Sequence, residues 1–266
     1  MIKISHKLSP LWSINEGEGA LFATALHSGH KIRQEMKQIL LLDDATRLRE
    51  EDPYTEQLAK ISQNYIIPLH SRFEVDLNRV RNEAVYLHPE DAWGLKIWKQ
   101  QPSQEMIYRS LEVFDQFYAD TAIFLKYLEQ EYGHFVVFDL HSYNYRRDGP
   151  DVPPDVPLKN PDINIGTGTM ERQRWARLID HFINDLKACR FEGRYLDVRE
   201  NIKFKGGQLA TWVHSNFSES GCVLSIEIKK IFMDEWTGKV NKHKFNTLFY
   251  ALKSTLPGIS EELQRL

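Results

Sequence analysis

The sequence predicts an α/β fold in which helices cover both faces of a central sheet. Short runs that are apolar on both faces are typical of strands buried between two layers. Amphipathic helical patterns alternate with these runs along the chain. The 266 residues, 42% hydrophobic and 27% charged, have the composition of an ordinary globular protein. They suffice for one domain, which is predicted to span residues 1–266.

Four segments are predicted to contain strands. The runs ALFATAL at 20–26, FVVFDL at 135–140 and CVLSIEI at 222–228 contain few polar residues, so both faces of each strand are expected to be buried. The segment YIIPLHSRFEVDL at 65–77 is predicted as a strand followed by a turn, or as two short strands broken near Pro68.

Three segments are predicted as helices because their apolar residues recur on one helical face. The first begins after Ser103, a suitable N-cap residue, and its apolar face continues to Leu128. The apolar positions of the other two helices are Trp175, Leu178, Ile179, Phe182 and Leu186, and Phe245, Leu248, Phe249 and Leu252, respectively.

The segment DGPDVPPDVPLKNPDINIGTGT at 148–169 fits neither pattern. Its five prolines within twelve residues argue against a helix or a central strand and predict a long loop. Long loops in compact domains often act as lids or binding elements, although many are surface excursions. Both interpretations stay open, and the position of the segment just after His141 favours the first.

Charge and cysteine content exclude several function classes. With a net charge of −3 and a pI near 6.4, the chain has no overall field that favours nucleic acid or anionic lipid. Cys189 and Cys222 form no CxxC pair or disulfide framework, which is typical of a reducing compartment. The N-terminal segment lacks the apolar core of a signal peptide, and no run reaches the ~18 apolar residues of a membrane helix. A cytoplasmic protein is predicted.

Two predicted strands run directly into histidines, and a third carries a lone acid. ALFATAL is followed by His27, FVVFDL by His141, and Glu227 lies between two isoleucines near the end of CVLSIEI. A single histidine at the end of a strand is more often structural than functional. In open α/β sheets, however, ligands bind beyond the carboxyl ends of the strands, so these three side chains are expected to converge.

Two imidazoles and nearby carboxylates are a suitable ligand set for Zn²⁺. Catalytic zinc sites use three protein ligands and leave one position open for water, whose pKa falls to about 7. A neighbouring carboxylate can accept a proton from that water. Glu227, flanked by apolar residues, suits the role of general base.

The segment SRFEVDLNRVRN at 71–82 supplies candidate substrate-binding residues. Arginine offers a planar pair of donors that matches a carboxylate, and asparagine can bond a carboxylate or amide oxygen. Asn78 and Arg79, which follow a strand-like run, are the favoured pair. Arg81 is expected to be a solvated surface charge, and the same interpretation is open for Arg72.

Seven short segments, spread over nearly the whole chain, form an ordered set of motifs. They are HSG at 27–29, EEDPYTEQL at 50–58, SRFEVDLNR at 71–79, DLHS at 139–142, IGTGT at 165–169, KGGQL at 205–209 and SIEIKKIFMDE at 225–235. In this order they resemble the N-formylglutamate amidohydrolase family. DLHSY also resembles the second zinc-histidine motif of metallocarboxypeptidases, and the NR pair resembles the residues that bind a terminal carboxylate in those enzymes.

The resemblance implies a fold and a metal. The fold is a three-layer α/β/α sandwich with a mostly parallel or mixed sheet, similar to zinc exopeptidases, and the cofactor is one Zn²⁺ per chain. His27 and His141 become zinc ligands, and Glu227 becomes the catalytic carboxylate.

The resemblance also assigns contacts to the substrate. Asn78 and Arg79 become the clamp for a substrate carboxylate. Arg72 becomes the candidate for polarising the scissile carbonyl. Ser142, next to a predicted zinc ligand, is a further candidate for substrate binding.

The third zinc ligand stays open between alternatives. Metallocarboxypeptidases use a His-x-x-Glu pair, whereas this chain has His27 followed by His30. Related zinc amidases take an acidic ligand from a later segment, where Asp52 matches an aspartate of the formylglutamate family. Imidazole and carboxylate both bind zinc. The sequence favours Asp52, keeps His30 as the alternative and ranks Glu35 third.

The predicted function is a zinc-dependent amidohydrolase that cleaves the amide bond of an N-acyl amino acid such as N-formylglutamate. Zinc-activated water, with Glu227 as general base, would attack the acyl carbonyl. One alternative is a metallocarboxypeptidase or peptidoglycan-type amidase acting on a peptide. Another is a non-catalytic metal-binding protein of the same fold.

The expected partner is a small N-acyl amino acid or short peptide, and neither nucleic acid nor a membrane is expected. The oligomeric state does not follow from the sequence. The remaining histidines receive no functional role. His6 is expected in a polar surface segment, whereas His70 and His214 could approach the site without any local signal that requires it.

Overall fold

The described part of the chain, residues 10–266 of this computed structural model, is built around a seven-stranded sheet. His6, expected at the surface, lies outside the described residues. The sheet contains β1 (Trp12–Asn15), β2 (Leu21–Thr24), β3 (Asn64–Pro68), β4 (Phe135–Tyr143), β5 (Ile163–Gly166), β8 (Val198–Glu200) and β9 (Gly221–Lys229). The short strands β6 (Arg190–Phe191) and β7 (Arg194–Tyr195) form a separate hairpin.

The strand order across the sheet is β1-β3-β2-β4-β9-β5-β8. β3, β2, β4 and β9 run parallel to one another, whereas β1 is antiparallel to β3 and β5 is antiparallel to β9. The sheet is therefore mixed. The carboxyl ends of β2, β4 and β9, three adjacent strands, meet at one edge.

Eight α-helices connect or follow the strands within residues 10–266. They are α1 (Gln34–Ile39), α2 (Asp44–Glu50), α3 (Thr55–Ala59), α4 (Gln104–Tyr132), α5 (Ala176–Ala188), α6 (Gln208–Asn216), α7 (Lys242–Ser254) and α8 (Leu256–Leu263). Short 3₁₀ turns occur at Arg81–Glu83, Pro89–Ala92 and Pro157–Lys159. None of the helices described is both long and apolar enough to cross a membrane.

Side chains of β4 alternate between two hydrophobic cores, as the period of two in a strand requires. Val136, Phe138 and Leu140 belong to a core that includes residues of α3, α5, α7 and α8. Phe135 and Val137 belong to a second core with α4 and α6. Helices therefore cover both faces of the sheet, and the predicted three-layer α/β/α sandwich is confirmed.

The three predicted helices correspond to α4, α5 and α7. The side chain of Ser103 accepts a hydrogen bond from the Met106 N–H at 3.2 Å, so this residue caps α4 as expected. The alternatives for residues 65–77 are also decided. β3 ends at Pro68, and the following residues form turns, so Asn78 and Arg79 follow a turn and not a strand-like run.

Two predicted boundaries were wrong. β4 was expected to end at Leu140 but continues to Tyr143, because β9 pairs with it along its whole length and places His141 opposite Glu227. The segment 148–169 was expected to be loop throughout, but its end forms β5. All five prolines precede this strand, so its backbone is free to pair with β9 on one side and β8 on the other.

Candidate metal centre

Three side chains from separate parts of the chain meet at the carboxyl edge of the sheet. His27 follows β2, Asp52 follows α2, and His141 lies in β4. One ligand atom of each lies within 4.8 Å of those of the other two, and all three residues are buried. This group, called the His–Asp–His cluster below, is the one set with such spacing among residues 10–266.

A single carboxylate oxygen of Asp52 faces both imidazoles. Asp52 Oδ2 lies 3.4 Å from Nδ1 of His27 and 3.1 Å from Nδ1 of His141. Burial would raise the pKa of Asp52, but the hydrogen bonds and charges of His141 and His27 hold it well below its usual range. The carboxylate is therefore ionised and oriented toward both rings.

The other nitrogen of each imidazole is held by a buried aspartate. His27 Nε2 lies 2.7 Å from Asp76 Oδ1, and His141 Nε2 lies 2.8 Å from Asp139 Oδ1. An acid in this position fixes the ring orientation and keeps the proton on Nε2, which leaves the Nδ1 lone pair for a metal. Both Nδ1 atoms face Asp52.

The chemistry of the cluster fits a zinc ion. Two imidazole nitrogens and one carboxylate oxygen are a ligand set that Zn²⁺ accepts in catalytic sites. Burial alone would lower the pKa of His141, but the charges of Asp139 and Glu227 raise it well above its ordinary value. The concentration of buried carboxylates thus favours a positive charge at this point, which a bound cation would supply.

The structure does not bring His30 to the cluster. Its Nδ1 lies 2.5 Å from Glu51 Oε2, and its Nε2 lies 3.0 Å from Nη2 of Arg47. In the same loop, Gly29 packs against the main chain near His70, where a Cβ would lie only 2.4 Å from the carbonyl oxygen. Glu35, the third alternative, pairs instead with Arg109 at 2.7 Å.

Glu227 lies beside the cluster and lines the same cavity. It is paired in register with His141, so both side chains lie on the same face of the sheet. Although part of Glu227 faces the cavity, burial raises its pKa to about 8. The charge of His141 opposes this shift, whereas the acids Asp52 and Asp139 add to it.

Arg72 lies at the cavity wall and is held by two buried groups. Its Nη2 donates to Asp76 Oδ2 at 2.7 Å and to the Tyr86 hydroxyl at 2.9 Å. Burial would lower the pKa of Arg72, but the charge of Asp76 raises it. The same Asp76 orients His27, so Arg72 and the candidate metal ligand share one buried carboxylate.

Asn78 and Arg79 both line the cavity but are already engaged within the protein. Asn78 Oδ1 accepts from the Leu209 N–H at 3.1 Å, and the main-chain N–H of Asn78 donates to Asp76 Oδ1 at 2.8 Å. A Cβ at Gly207 would lie 2.5 Å from the Asn78 amide, so only glycine fits there. Arg79 donates to the Asp91 carbonyl at 2.7 Å.

Among the other residues considered in the sequence, Ser142 lies at the site, whereas Arg81, His70 and His214 lie away from it. Ser142 donates from its hydroxyl to Asp52 Oδ1 at 3.3 Å, and so contacts the His–Asp–His cluster directly. Arg81 is exposed and pairs with Asp115 at 2.6 Å, as expected for a surface charge. His70 and His214 do not line the cavity; His70 pairs with Glu74 at 3.0 Å.

The cavity has a volume of about 370 Å³, which is suitable for a small molecule. Cationic and aromatic side chains that were not predicted as site residues also line it, namely Trp93, Tyr143, Arg147, Lys203, Phe204, Lys205 and Lys230. Of these, Lys205 had a local signal, since it begins the KGG turn of the KGGQL motif. A second cleft of about 410 Å³, beside α8, contains none of the candidate site residues.

The chain was compared with known protein families and solved structures. A family model described as FGase, N-formylglutamate amidohydrolase, matches residues 20–233. The crystal structure of N-formylglutamate amidohydrolase from Ralstonia eutropha JMP134 gives a TM-score of 0.72 at 19% identity, covering 96% of this chain and 98% of that chain. A gene product of Agrobacterium tumefaciens gives a TM-score of 0.65 at 15% identity, covering 94% of this chain and 96% of that chain.

More distant comparisons add little. A metallo-carboxypeptidase from Burkholderia cenocepacia gives a TM-score of 0.37 at 13% identity, covering 91% of this chain and 56% of that chain, and nothing rests on this likeness. A search of curated proteins found no significant match. At these identities the structural likenesses show the fold, whereas the family match confirms the resemblance drawn from the seven motifs. The chain belongs to the N-formylglutamate amidohydrolase family, a family of amide-hydrolysing enzymes.

Proposed function

We propose that this protein is a zinc-dependent amidohydrolase that removes the acyl group from an N-acyl amino acid. The observation that carries the proposal is the His–Asp–His cluster in the wall of a cavity, with Glu227 beside it. Family membership supports an amide as the bond that is cleaved. The name shared by the family model and the Ralstonia protein makes N-formylglutamate the first substrate to test.

His27, Asp52 and His141 would hold the zinc ion. Bound there, zinc supplies Lewis acidity, which lowers the pKa of water and polarises an amide carbonyl. Asp76 and Asp139 keep both imidazoles in the tautomer that this role requires. Asp52 serves as the third ligand because its carboxylate lies between the two Nδ1 atoms.

Glu227 is the general base and then the general acid. The charge of a bound cation would favour the ionised form of Glu227, which then accepts a proton as the water oxygen bonds to the carbonyl carbon of the amide. Glu227 returns that proton to the nitrogen as the carbon–nitrogen bond breaks, which releases the amino acid and a carboxylic acid. The proton of this acid then passes to the released amine, so the products are a carboxylate and an ammonium group. The position of Glu227 in the same cavity as the cluster supports this role.

Three cavity residues are proposed to recognise the substrate. Asn78 and Arg79 bind the carboxylate of the amino acid, since amide and guanidinium donors suit its oxygens. Ser142 adds a polar contact at the same wall. Arg72, held in place by Asp76, faces the cavity to stabilise the negative charge that develops on the carbonyl oxygen.

The proposal is tested by combining zinc loading with product detection. Metal-free protein should bind about one zinc per chain and, once loaded, should release formate and glutamate from N-formylglutamate. His27→Ala should lose zinc, because two remaining ligands hold it poorly. A zinc-loaded protein that releases no acyl group from any of a panel of N-acyl amino acids would contradict the proposed function.

A further inference from the structure

A buried lysine lies beside the His–Asp–His cluster and has no part in the reaction proposed above. Lys230 directly follows β9, is 1% exposed and lines the same cavity as Glu227. Its ammonium donates to two main-chain carbonyls, those of Arg49 at 2.6 Å and Glu51 at 2.8 Å. A buried charge is unfavourable unless it is well compensated, so the hydrogen-bond partners of this lysine indicate what it does.

Both carbonyls belong to the end of α2, immediately before Asp52. The last carbonyls of a helix have no partner within the helix. The Glu51 carbonyl accepts from Lys230, while the Asp52 N–H on the same peptide donates to the His27 carbonyl at 2.8 Å. Because a peptide unit is planar, these two hydrogen bonds fix the orientation of the peptide that leads into Asp52.

A second side chain supports the same turn. Asn144, one residue beyond β4, donates from Nδ2 to the Arg49 carbonyl at 2.9 Å. The ends of β4 and β9 are themselves joined, since the Lys230 N–H donates to the Tyr143 carbonyl at 3.1 Å. The turn before Asp52 is thereby tied to the two strands that carry His141 and Glu227.

We propose that Lys230 is a positioning residue that orients the Glu51–Asp52 peptide, and thereby keeps the Asp52 carboxylate beside the two imidazoles for metal binding. The inference rests on the metal-binding role proposed for the His–Asp–His cluster. Lys230 acts through the main chain, so its effect is on the affinity for the metal before any substrate is bound. Asn144 contributes in the same way through one hydrogen bond.

The chain offers a matched control at the adjacent position. Lys229 is also largely buried, and it pairs with Asp162 at 2.9 Å and donates to the Asn160 carbonyl at 3.0 Å, away from α2. Lys230→Met and Lys229→Met each remove one ammonium and keep the length of the side chain. Only the first removes hydrogen bonds to the peptide before Asp52.

The test measures zinc affinity of the metal-free proteins by competition with a chromophoric chelator, together with their thermal unfolding. Lys230→Met should bind zinc ~10–100-fold more weakly than the wild type, the usual range for residues that orient a metal ligand. Asn144→Ala should show a smaller loss, and Lys229→Met should stay close to the wild type even if its melting temperature falls.

Four outcomes would overturn the inference. Lys230→Met with wild-type zinc affinity, or an equal loss in Lys229→Met, would show that the ammonium does not position Asp52. If Lys230→Met does not fold, unchanged affinity in folded Asn144→Ala leads to the same conclusion. A wild-type protein that binds no zinc would overturn the proposed function as well, so the two failures are distinguishable.

Discussion

Carboxylate and imidazole side chains can both bind zinc, so the surroundings of Asp52 and His30 decide which of them is the third ligand. Asp52 faces the Nδ1 atoms of both imidazoles, whereas His30 is occupied by Glu51 and Arg47. We predict that Asp52→Ala lowers zinc affinity at least ~10-fold more than His30→Ala does. Titration against a competing chelator measures both values. The opposite order would make His30 the third ligand and Asp52 an orienting residue.

Glu227→Gln separates catalysis from metal binding. Glutamine has nearly the same shape but cannot accept a proton, so turnover should fall by ~10²–10⁴-fold. Zinc content should stay at the wild-type level, because Glu227 is outside the His–Asp–His cluster. Initial rates and metal analysis on the same preparation check both statements. A loss of less than about tenfold would exclude Glu227 as the general base.

Arg79→Lys tests recognition of the substrate carboxylate. Lysine keeps the charge but loses the planar pair of donors, so kcat/KM should fall for a substrate with a free carboxylate. Masking that carboxylate as an amide should reduce the rate of the wild type strongly and that of the variant much less. The variant has already lost the contact that the mask removes, so the two losses do not add. Equal sensitivity of the two proteins would show that Arg79 does not bind the carboxylate.

The candidate site residues at strand ends could be proposed from the sequence, whereas the buried acids that orient them could not. His27, His141 and Glu227 could be found because each interrupts or ends an apolar run. Asp76 could not be assigned to His27, since the pair is separated by 49 residues and only the folded chain brings them together. Asp139 stood out as a charge within an apolar strand, but its partner was not evident.

The packing of α6 on β9 depends on a neutral histidine. His214 Nε2 accepts from the Val223 N–H at 3.1 Å, and Nδ1 bonds the Thr169 hydroxyl at 2.8 Å. Protonation of His214 Nε2 would place its N–H against the main-chain N–H of Val223 and break this hydrogen bond. Burial lowers the pKa of His214 from 6.5 to about 4, so the unfolded chain takes up this proton at higher pH than the folded chain does.

Stability should therefore fall as the pH drops below about 6.5, and this contribution should be lost progressively down to about pH 4. Between pH 7 and 5.5 the loss from this residue is on the order of 1 kcal/mol. Urea unfolding at both pH values measures it. His214→Gln keeps an acceptor for Val223 but does not titrate, so its stability should depend less on pH. If the stability of His214→Gln depends on pH as strongly as that of the wild type, His214 is not the group responsible.

Elements with strong periodic patterns could be predicted, and short ones could not. β2, β4, β9, α4, α5 and α7 are apolar or amphipathic over enough residues to be recognised locally. β5 is fully buried, but Asn164 and Gly166 interrupt its apolar pattern, and the strand follows a proline-rich segment. Its strand conformation comes from pairing with β9, a contact that local sequence does not encode.

Zinc should stabilise the whole molecule, because the unfolded chain cannot hold three ligands so far apart in sequence. If zinc binds only the folded state, it raises the free energy of unfolding by ~2.7 kcal/mol at a free zinc concentration 100 times Kd. This corresponds to a rise in Tm of roughly 5–10 °C for a chain of this size. Thermal scans with zinc and with a chelator measure the shift. His141→Ala should abolish it. A shift that survives in this variant would place the stabilising metal elsewhere.

The three-layer architecture and the family were predictable because the motifs extend over most of the chain and agree with the order of strands and helices. The extent of the domain over residues 1–266 and the cytoplasmic location remain predictions from composition and length. The choice among small-molecule substrates depends on the cavity side chains, which come from several loops. Such loops show no periodic pattern, so their convergence appears only in the folded protein.

The direction of β5 has a consequence for how substrate range can diversify. Because β5 runs antiparallel to β9, it begins at the edge of the sheet where β9 ends, and the proline-rich segment before it arrives beside the cavity. Asn160 of that segment bonds Lys203, which lines the cavity, at 2.7 Å. None of the candidate metal ligands belongs to this segment. We therefore expect a change in the length or composition of this segment to act on the cavity through Lys203 and to leave the candidate metal ligands in place.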